Sequence, residues 1–258
     1  MQPVGYVSVM TSLITRAAVA EGIGVELLDI EQLDEIGSCH IDGAIGVVFD
    51  DRVVELSRYP NLPLVTINHP MVEHGIHSVY TDHYEQGALA TRHLIENGHK
   101  RIGFLAIQPD EWGSAQRQQG YRSMLQQAGL PFDEDLVCYS NDAPAYDILR
   151  RWMSNGVTAI LNFSEDAAAE VLHILSNVLS LRIGEDVSTI TLENLPIYQY
   201  FSPPQTVVRQ PLAELASLAV KAVVERSGRR EPGASEPTLN HCLKGELIKR
   251  DSVVRLHG

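Results

Sequence analysis

No run of apolar residues in this chain approaches the roughly twenty needed to cross a bilayer. The opening Met1-Gln-Pro-Val-Gly-Tyr6 has neither the basic nor the apolar region of a secretory signal. These absences point to a cytoplasmic protein that engages no membrane. Cysteine is scarce: Cys39, Cys138 and Cys242 are odd in number, far apart and without Cys-x-x-Cys spacing. That excludes a disulfide framework and favours free, mostly buried thiols in a reducing compartment. Basic residues are also short, 20 Lys and Arg against 33 Asp and Glu, for a formal charge of −13. A phosphate backbone repels such a surface, and the chain carries no basic arm, zinc-finger spacing or helix-turn-helix signature. Enzyme signatures are missing as well: Gly-x-x-x-x-Gly-Lys, Gly-x-Ser-x-Gly and His-Glu-x-x-His do not occur. Gly22-Ile-Gly-Val-Glu-Leu27 has two of the three glycines of a dinucleotide loop and precedes a strand-like run instead of following one. Neither an enzyme nor a cofactor is expected.

What is present is ordinary in amount and regular in arrangement. The 258 residues are 44% apolar and 21% charged, enough for one large domain or two lobes with separate cores. Strand-like and helix-like segments alternate, which predicts an α/β fold with crossover connections and mainly parallel sheets. Strands are expected at residues 4–10, 25–29, 42–49, 63–67, 78–81, 101–107, 158–163 and 187–192. Helices are expected at residues 14–21, 114–128, 146–155 and 167–179. Pro203-Pro204 breaks the alternation, and residues 205–209 read as an extended crossing. In residues 211–227, Leu212, Leu215, Ala216, Ala219, Val220 and Val223 form one helical stripe. Residues 228–237, with Gly, Pro and Ser around mixed charges, look like a linker, and residues 238–255 like strands finishing a sheet.

The most informative stretch runs from Tyr80 to Leu105. Asp82 and Glu85 have capping-box spacing, Gly98 stops the helix, and an apolar run follows as a parallel strand. An acid where a strand gives way to a helix sits where open α/β sheets bind ligands. His69, His74, His77 and His83 invite a metal reading. They lie on loop-like sequence without an i, i+4 pair or accompanying cysteines, so a polar loop is the better reading. His99 is expected to satisfy a local carbonyl beyond the helix end.

Gly98-His-Lys-Arg-Ile102, with its preceding helix, resembles the effector-binding core of LacI/GalR-family transcriptional regulators. Asp42-Gly-Ala-Ile45 resembles that family's third-strand pattern, and Arg117-Gln-Gln-Gly-Tyr121, followed by Leu125 and Ala128-Gly-Leu130, its Arg-x-x-Gly-(aromatic) helix. Ser202-Pro-Pro-Gln-Thr-Val-Val-Arg-Gln-Pro211 is similar to its proline-pair crossing, and Leu247-Ile-Lys-Arg-Asp-Ser252 to its closing strand. The resemblance covers nearly the whole chain in order. It implies two Rossmann-like lobes with parallel sheets, in periplasmic-binding-protein-like arrangement, joined by three crossings and closing on a small effector. The expected lobes are residues 1–106 with 206–237 and residues 107–205 with 238–258.

Three departures stand out. The opening unit is shorter than the family norm by roughly a helix. The family's Asn/Asp-Asp after Phe163 is Ser164-Glu165 here, and its Asp after the next strand is Glu193.

Each candidate ligand residue has a plainer alternative. Arg117 lies on the inward face that continues through Leu125 and Ala128. An arginine there is costly unless paired, and its fork suits vicinal hydroxyls or a carboxylate. The alternative is a surface arginine in a first helical turn. The resemblance makes Arg117 a ligand residue. Asp82 is a helix cap, a ligand residue or both. Glu193 accepts sugar hydroxyls or is a solvated loop glutamate. For Ser164, capping outweighs ligand contact. Asn68 matches a family ligand position but also suits a turn before Pro70. Gln210, at a crossing, is a similar case. Trp112, in the loop before the Arg117 helix, stacks on a sugar face or covers the lobe.

The expected function is therefore effector binding and dimerisation for a LacI/GalR-type regulator. Its partners would be a mono- or disaccharide, with a lean towards galactosides, and a second copy of the chain; a purine or nucleoside remains an alternative ligand. Operator DNA would be met only through a headpiece not in this chain; Met1-Gln-Pro leads straight into the first expected strand, which favours an excised effector domain. The alternative is a transport-type sugar-binding protein of the same fold.

Overall fold

A computed structural model describes residues 4–38, 40–47, 50–59, 61–193, 196–227 and 238–256. In chain order the elements begin with α1 (Val4–Ala20), β1 (Ala44–Gly46), β2 (Leu64–Ile67), β3 (His77–Thr81) and α2 (His83–Glu96). Next come β4 (Ile102–Ala106), α3 (Trp112–Gln127), β5 (Val137–Tyr139), α4 (Ala145–Ser154), β6 (Ala159–Asn162) and α5 (Glu165–His173). The last are β7 (Ser188–Glu193), β8 (Thr206–Arg209), α6 (Leu212–Ser227), β9 (Asn240–Leu243) and β10 (Glu246–Ile248). Two compact units result, one within Met1–Thr81 and Pro211–Leu243, the other within Asp82–Gln210 and Lys244–Gly258. The first crossing thus falls after Thr81, not at the expected residue 106, because α2 packs on α3 and β4 pairs with β5 and β6. The other two fall at 210/211 and 243/244 instead of 205/206 and 237/238.

The first unit holds a parallel sheet of order β1-β2-β3-β9. Its side chains alternate between two apolar layers, as strand geometry requires. Val65, Ile67 and Val79 meet Tyr6, Met10, Ile14 and Ala18 of α1 and the Leu215, Ala216 and Ala219 stripe of α6. Leu64 faces the opposite way, onto Ile36, Val53 and Leu56 of two 3-10 stretches, Ile30–Ser38 and Asp51–Arg58.

The first expected strand is in fact the start of α1. Tyr6, Met10, Ile14 and Ala18 are buried at intervals of four, so the helical period wins over the local alternation of residues 4–10. Residues 25–29 are not a strand either: among the described residues they join no sheet, and Val25 and Leu27 are exposed. The strand expected at 42–49 is shorter, Ala44–Gly46, and Val48 and Phe49 lie outside the described residues. So does the linker-like segment 228–237.

The second unit has a six-stranded sheet, β10-β8-β7-β6-β4-β5, parallel except for the antiparallel edge strand β10. The central strands β4 and β6 are buried on both faces, and read as continuous apolar runs for that reason. Phe104, Leu161 and Ile190 pack under α2 and α3. Leu105, Ile160 and Val207 pack under Trp152 of α4 and Val171 and Leu175 of α5. β5 was not anticipated; its three residues, Val-Cys-Tyr, are too few to show a period. The residues expected to finish one sheet finish two, β9 in the first unit and β10 in the second. Cys138 is buried as expected, but Cys242 is exposed on edge strand β9.

The α2 terminus follows its sequence signals. The Asp82 carboxylate accepts from the Glu85 amide at 2.8 Å, and Gly98, at φ 90°, turns the chain so that the His99 amide reaches the Leu94 carbonyl. The His99 ring goes elsewhere than expected. Its Nε2 lies 3.0 Å from the Val254 carbonyl and 2.9 Å from the Ser188 hydroxyl, and its Nδ1 lies 2.9 Å from the Thr158 hydroxyl. The carbonyl can only accept, so Nε2 carries the proton and Nδ1 accepts from Thr158. This ring ties the starts of β6 and β7 to residues 252–254. Replacing His99 by Ala removes a partner from Ser188, which is buried, and from Thr158 and Val254, which are partly buried, and a loss of about 1–3 kcal/mol is expected in urea unfolding, with faster amide exchange at Val254.

Candidate functional site

In the second unit β4 has β5 on one side and β6 on the other, so the chain reverses its direction across the sheet there. Open parallel sheets bind ligands outside the carboxyl ends of the strands that flank such a reversal. Glu111 and Trp112 follow β4, and Phe163 and Ser164 follow β6. The Ser140 hydroxyl, after β5, lies 2.7 Å from that of Ser164 and 3.1 Å from the Ala106 carbonyl, linking three strand ends.

Helix α3 starts at this edge. Glu111 caps it with both carboxylate oxygens, on the amides of Gly113 and Ser114. Gly113, Arg117, Gly120, Tyr121 and Met124 then share its buried face. Helix α2 crosses that face at very short range. A Cβ at Gly120 would stand 2.1 Å from the Tyr84 carbonyl oxygen, and one at Gly87 2.1 Å from that of Arg117. The two glycines are what allow the backbones to approach so closely.

This approach sets His83 and Gln86 of α2 against Arg117, which is only 4% exposed. Arg117 Nε donates to Gln86 Oε1 at 3.2 Å, and Nη2 lies 3.0 Å from His83 Nδ1. Gln86 Oε1 also lies 2.9 Å from His83 Nδ1, so the three side chains meet at one point. The guanidinium fork thus meets two uncharged side chains on α2. Its carbon also stands 5.7 Å from the centre of the Phe163 ring, and His83 meets Trp112 edge-to-face at 5.2 Å. Burial, and then the Arg117 charge, hold the His83 pKa well below the ordinary histidine value. Gln86 Nε2 and Ser114 Oγ are buried and have no hydrogen-bond partner among the described residues. Guanidinium, aromatic rings and amide make a surface suited to a small polar ligand with an apolar face.

The structure treats the seven expected residues differently. Arg117 is central, and Trp112, the first residue of α3 and not part of a loop, lies beside it. Ser164 occupies the N-cap position of α5 but makes no side-chain cap bond; its hydroxyl faces Ser140. Asp82 is the α2 cap, in the sense expected of its spacing. Glu193 ends β7, its backbone paired with Arg209, and its side chain is outside the described set. Gln210 is buried after β8. Asn68, in the first unit, is buried at φ 56° with its amide on Tyr6 Oη and the Thr81 amide, a turn residue with structural bonds. The four histidines do not gather: His69 faces Asp51, His74 lies by Glu73, His77 bonds Arg226 and the Leu239 amide, and His83 meets Arg117. Among the described residues no group of His, Cys, Asp or Glu is placed to hold a metal.

His83, Gln86, Phe163 and Glu111 were missed. For the first two the available signal was glycine, at Gly87 and Gly120, in the middle of two helical segments, where it marks close packing.

Residues 91–253 match the family model of the periplasmic binding protein-like domain. The chain is 30% identical over 200 residues to the HTH-type transcriptional repressor PurR of Aliivibrio salmonicida, covering 72% of this chain and 58% of that protein. It is 28% identical to the HTH-type transcriptional regulator GalS of Salmonella typhimurium, over 74% of this chain and 56% of that one. The chain thus spans somewhat over half the length of these curated relatives. A LacI family transcriptional regulator from Enterococcus faecium, solved with bound ribose, superposes with a TM-score of 0.84 at 22% identity, over 98% of this chain and 95% of that one.

Two outcomes test the cluster. Alanine at an exposed helical glycine gains about 1 kcal/mol. Gly120→Ala is instead expected to lose about 1–3 kcal/mol in denaturant unfolding, because its Cβ meets backbone. The folded pKa of His83 lies below its unfolded value, so its contribution to stability is complete above about pH 6.5 and is lost as the pH falls below it. His93 and His99, also lowered mainly by burial, act in the same direction. Wild type should therefore lose more thermal stability between pH 7 and 5 than His83→Asn, whose amide oxygen can accept from Arg117 without titrating.

Proposed function

The chain belongs to the periplasmic binding protein-like domain family, with LacI/GalR-type regulators as its relatives, and from that premise we propose that it is the effector-binding core of such a transcriptional regulator. The observation that carries this reading is the buried guanidinium of Arg117, held in one geometry by Gln86 and His83 at the switch point of a parallel sheet. A charge taken out of water at that cost is kept where it does work on a ligand, and a planar fork recognises paired oxygens.

The effector is a small polyhydroxyl compound, a mono- or disaccharide. Arg117 takes vicinal hydroxyls, Trp112 or Phe163 covers an apolar sugar face, and Glu193 supplies a carboxylate acceptor. Gln86 Nε2 and Ser114 Oγ offer further valences. Ribose in the Enterococcus regulator is in keeping with this class. Asp82 and Gln210 are assigned secondary parts, and Asn68 a structural one.

Effector binding shifts an equilibrium between two states of the core, and operator binding by a headpiece reads it out. A dimer matches the symmetry of the operators such proteins bind. The named relatives are regulators, which disfavours both an enzyme and a transport-type binding protein. No described helix is long and apolar enough to cross a membrane.

Thermal unfolding across mono- and disaccharides, nucleosides and purines tests the proposal. A ligand at about 100 times its dissociation constant stabilises the fold by about 2.7 kcal/mol, a readable shift. The shift should appear with a sugar and vanish in Arg117→Ala. A sugar response that survives Arg117→Ala would move the site elsewhere, and silence across the panel would reject a sugar or purine effector.

A further inference from the structure

Gly245 has no conformational reason to be glycine. Its φ is not positive, unlike that of Gly75, Gly98 or Gly129, so its backbone is one that L-residues adopt. Space is what requires it. A Cβ at 245 would stand 2.8 Å from Nε2 and 2.9 Å from Cγ of Gln86, and 3.1 Å from the Arg209 carbonyl oxygen. Gly245 lies between β9 and β10, just after the 243/244 crossing. The side chain that takes up its Cβ volume therefore comes from the first turns of α2, which packs on β10.

The same side chain is engaged at its other end. Gln86 is fully buried, and its Oε1 lies 3.2 Å from Arg117 Nε and 2.9 Å from His83 Nδ1. Its Nε2 faces Gly245 and has no hydrogen-bond partner among the described residues. The amide group is planar, so a push on Nε2 at 245 also moves Oε1 at Arg117. Close packing around a fully buried side chain leaves little room to absorb that push in another rotamer. Gln86 follows the 81/82 crossing by one helical turn, and Arg209 stands just before the 210/211 crossing. Backbone beside all three crossings is thus gathered around one glutamine.

We infer that Gln86 is a positioning residue, which sets the plane of the Arg117 guanidinium according to the backbone at residue 245. Its regulatory meaning rests on the reading of Arg117 as the effector residue: occupancy there and the geometry of the crossing are then linked through Gln86. Linkage runs both ways. A ligand that turns the guanidinium draws on Oε1 and shifts Nε2 against Gly245, and a change of backbone at 245 tightens or frees the guanidinium. A role for Gln86 in packing alone predicts unstable variants but no dependence of Arg117 on residue 245.

The test is a double-mutant cycle on the intact chain without added ligand, read by NMR hydrogen exchange of the Arg117 side-chain Nε–H. In the wild type this group bonds Gln86 Oε1 and exchanges slowly. Gly245→Ala is expected to speed its exchange by about tenfold or more while the circular dichroism stays unchanged. Gln86→Ala speeds it too, and in that background Gly245→Ala adds nothing, because the shortened side chain leaves room for the new Cβ. Exchange unmoved by Gly245→Ala would overturn the inference, as would a Gly245→Ala effect that persists beside Gln86→Ala. Should Gly245→Ala fail to fold, Arg117→Met reads the link from the other end: amide exchange at Gly245 and Glu246 should change in the wild-type background and not in Gln86→Ala. Unchanged exchange there sinks the inference equally. None of these readouts needs an effector. A silent sugar panel with a positive cycle would remove the effector and keep the coupling, whereas a sugar response lost in Arg117→Ala with a null cycle would keep the site and discard the role of Gln86.

Discussion

The second unit depends on the contact between two helix backbones. Where α2 crosses α3, Gly87 lies against the Arg117 carbonyl and Gly120 against that of Tyr84, with no room for a single methyl group at either point. Everything at the candidate site follows from that closeness. A wider crossing would lift His83 and Gln86 away from Arg117, and the guanidinium would lose the acceptors that fix its plane. The same crossing seats Leu94 and Tyr121 on Phe104, so the site and the core beneath it share one geometric condition.

The electrostatics of the cluster are those of a cation whose acceptors on α2 are neutral. Gln86 and His83 place an oxygen and a ring nitrogen against the fork and carry no charge themselves. The aromatic rings of Phe163 and Trp112 stand beside this cation and its two uncharged neighbours. Histidine serves this arrangement only while it stays unprotonated, which its burial and the neighbouring charge ensure.

Much of the second unit was legible in the sequence, because its signals are local. The Asp82 cap, the Gly98 stop and the apolar β4 run each act over a few residues, and each appears where its chemistry puts it. The buried role of Arg117 was legible from its place on the inward face of α3. Features that rest on distant partners were not. His99 bonds a carbonyl 155 residues away, and no local pattern announces that. The fork on Arg117 needed two helices to be brought together first. In the first unit, residues 4–10 alternate like a strand but fold as a helix, because the stripe from Tyr6 to Ala18 has α6 to pack on. Residues 25–29 have the composition of a strand but pair with none among the described residues. Periodicity reports which face is apolar; it does not report whether a partner is there.

The three crossings between the units have a consequence for how the polypeptide acquires its shape during synthesis. β9 closes one sheet and β10 the other, and the two are separated by two residues near position 245. As the chain leaves the ribosome, α2 and α3 can meet early, yet neither sheet has its full set of strands until residues 240–248 have emerged. The two units therefore reach completion almost together, and during most of translation both present a bare edge to the cell's chaperones.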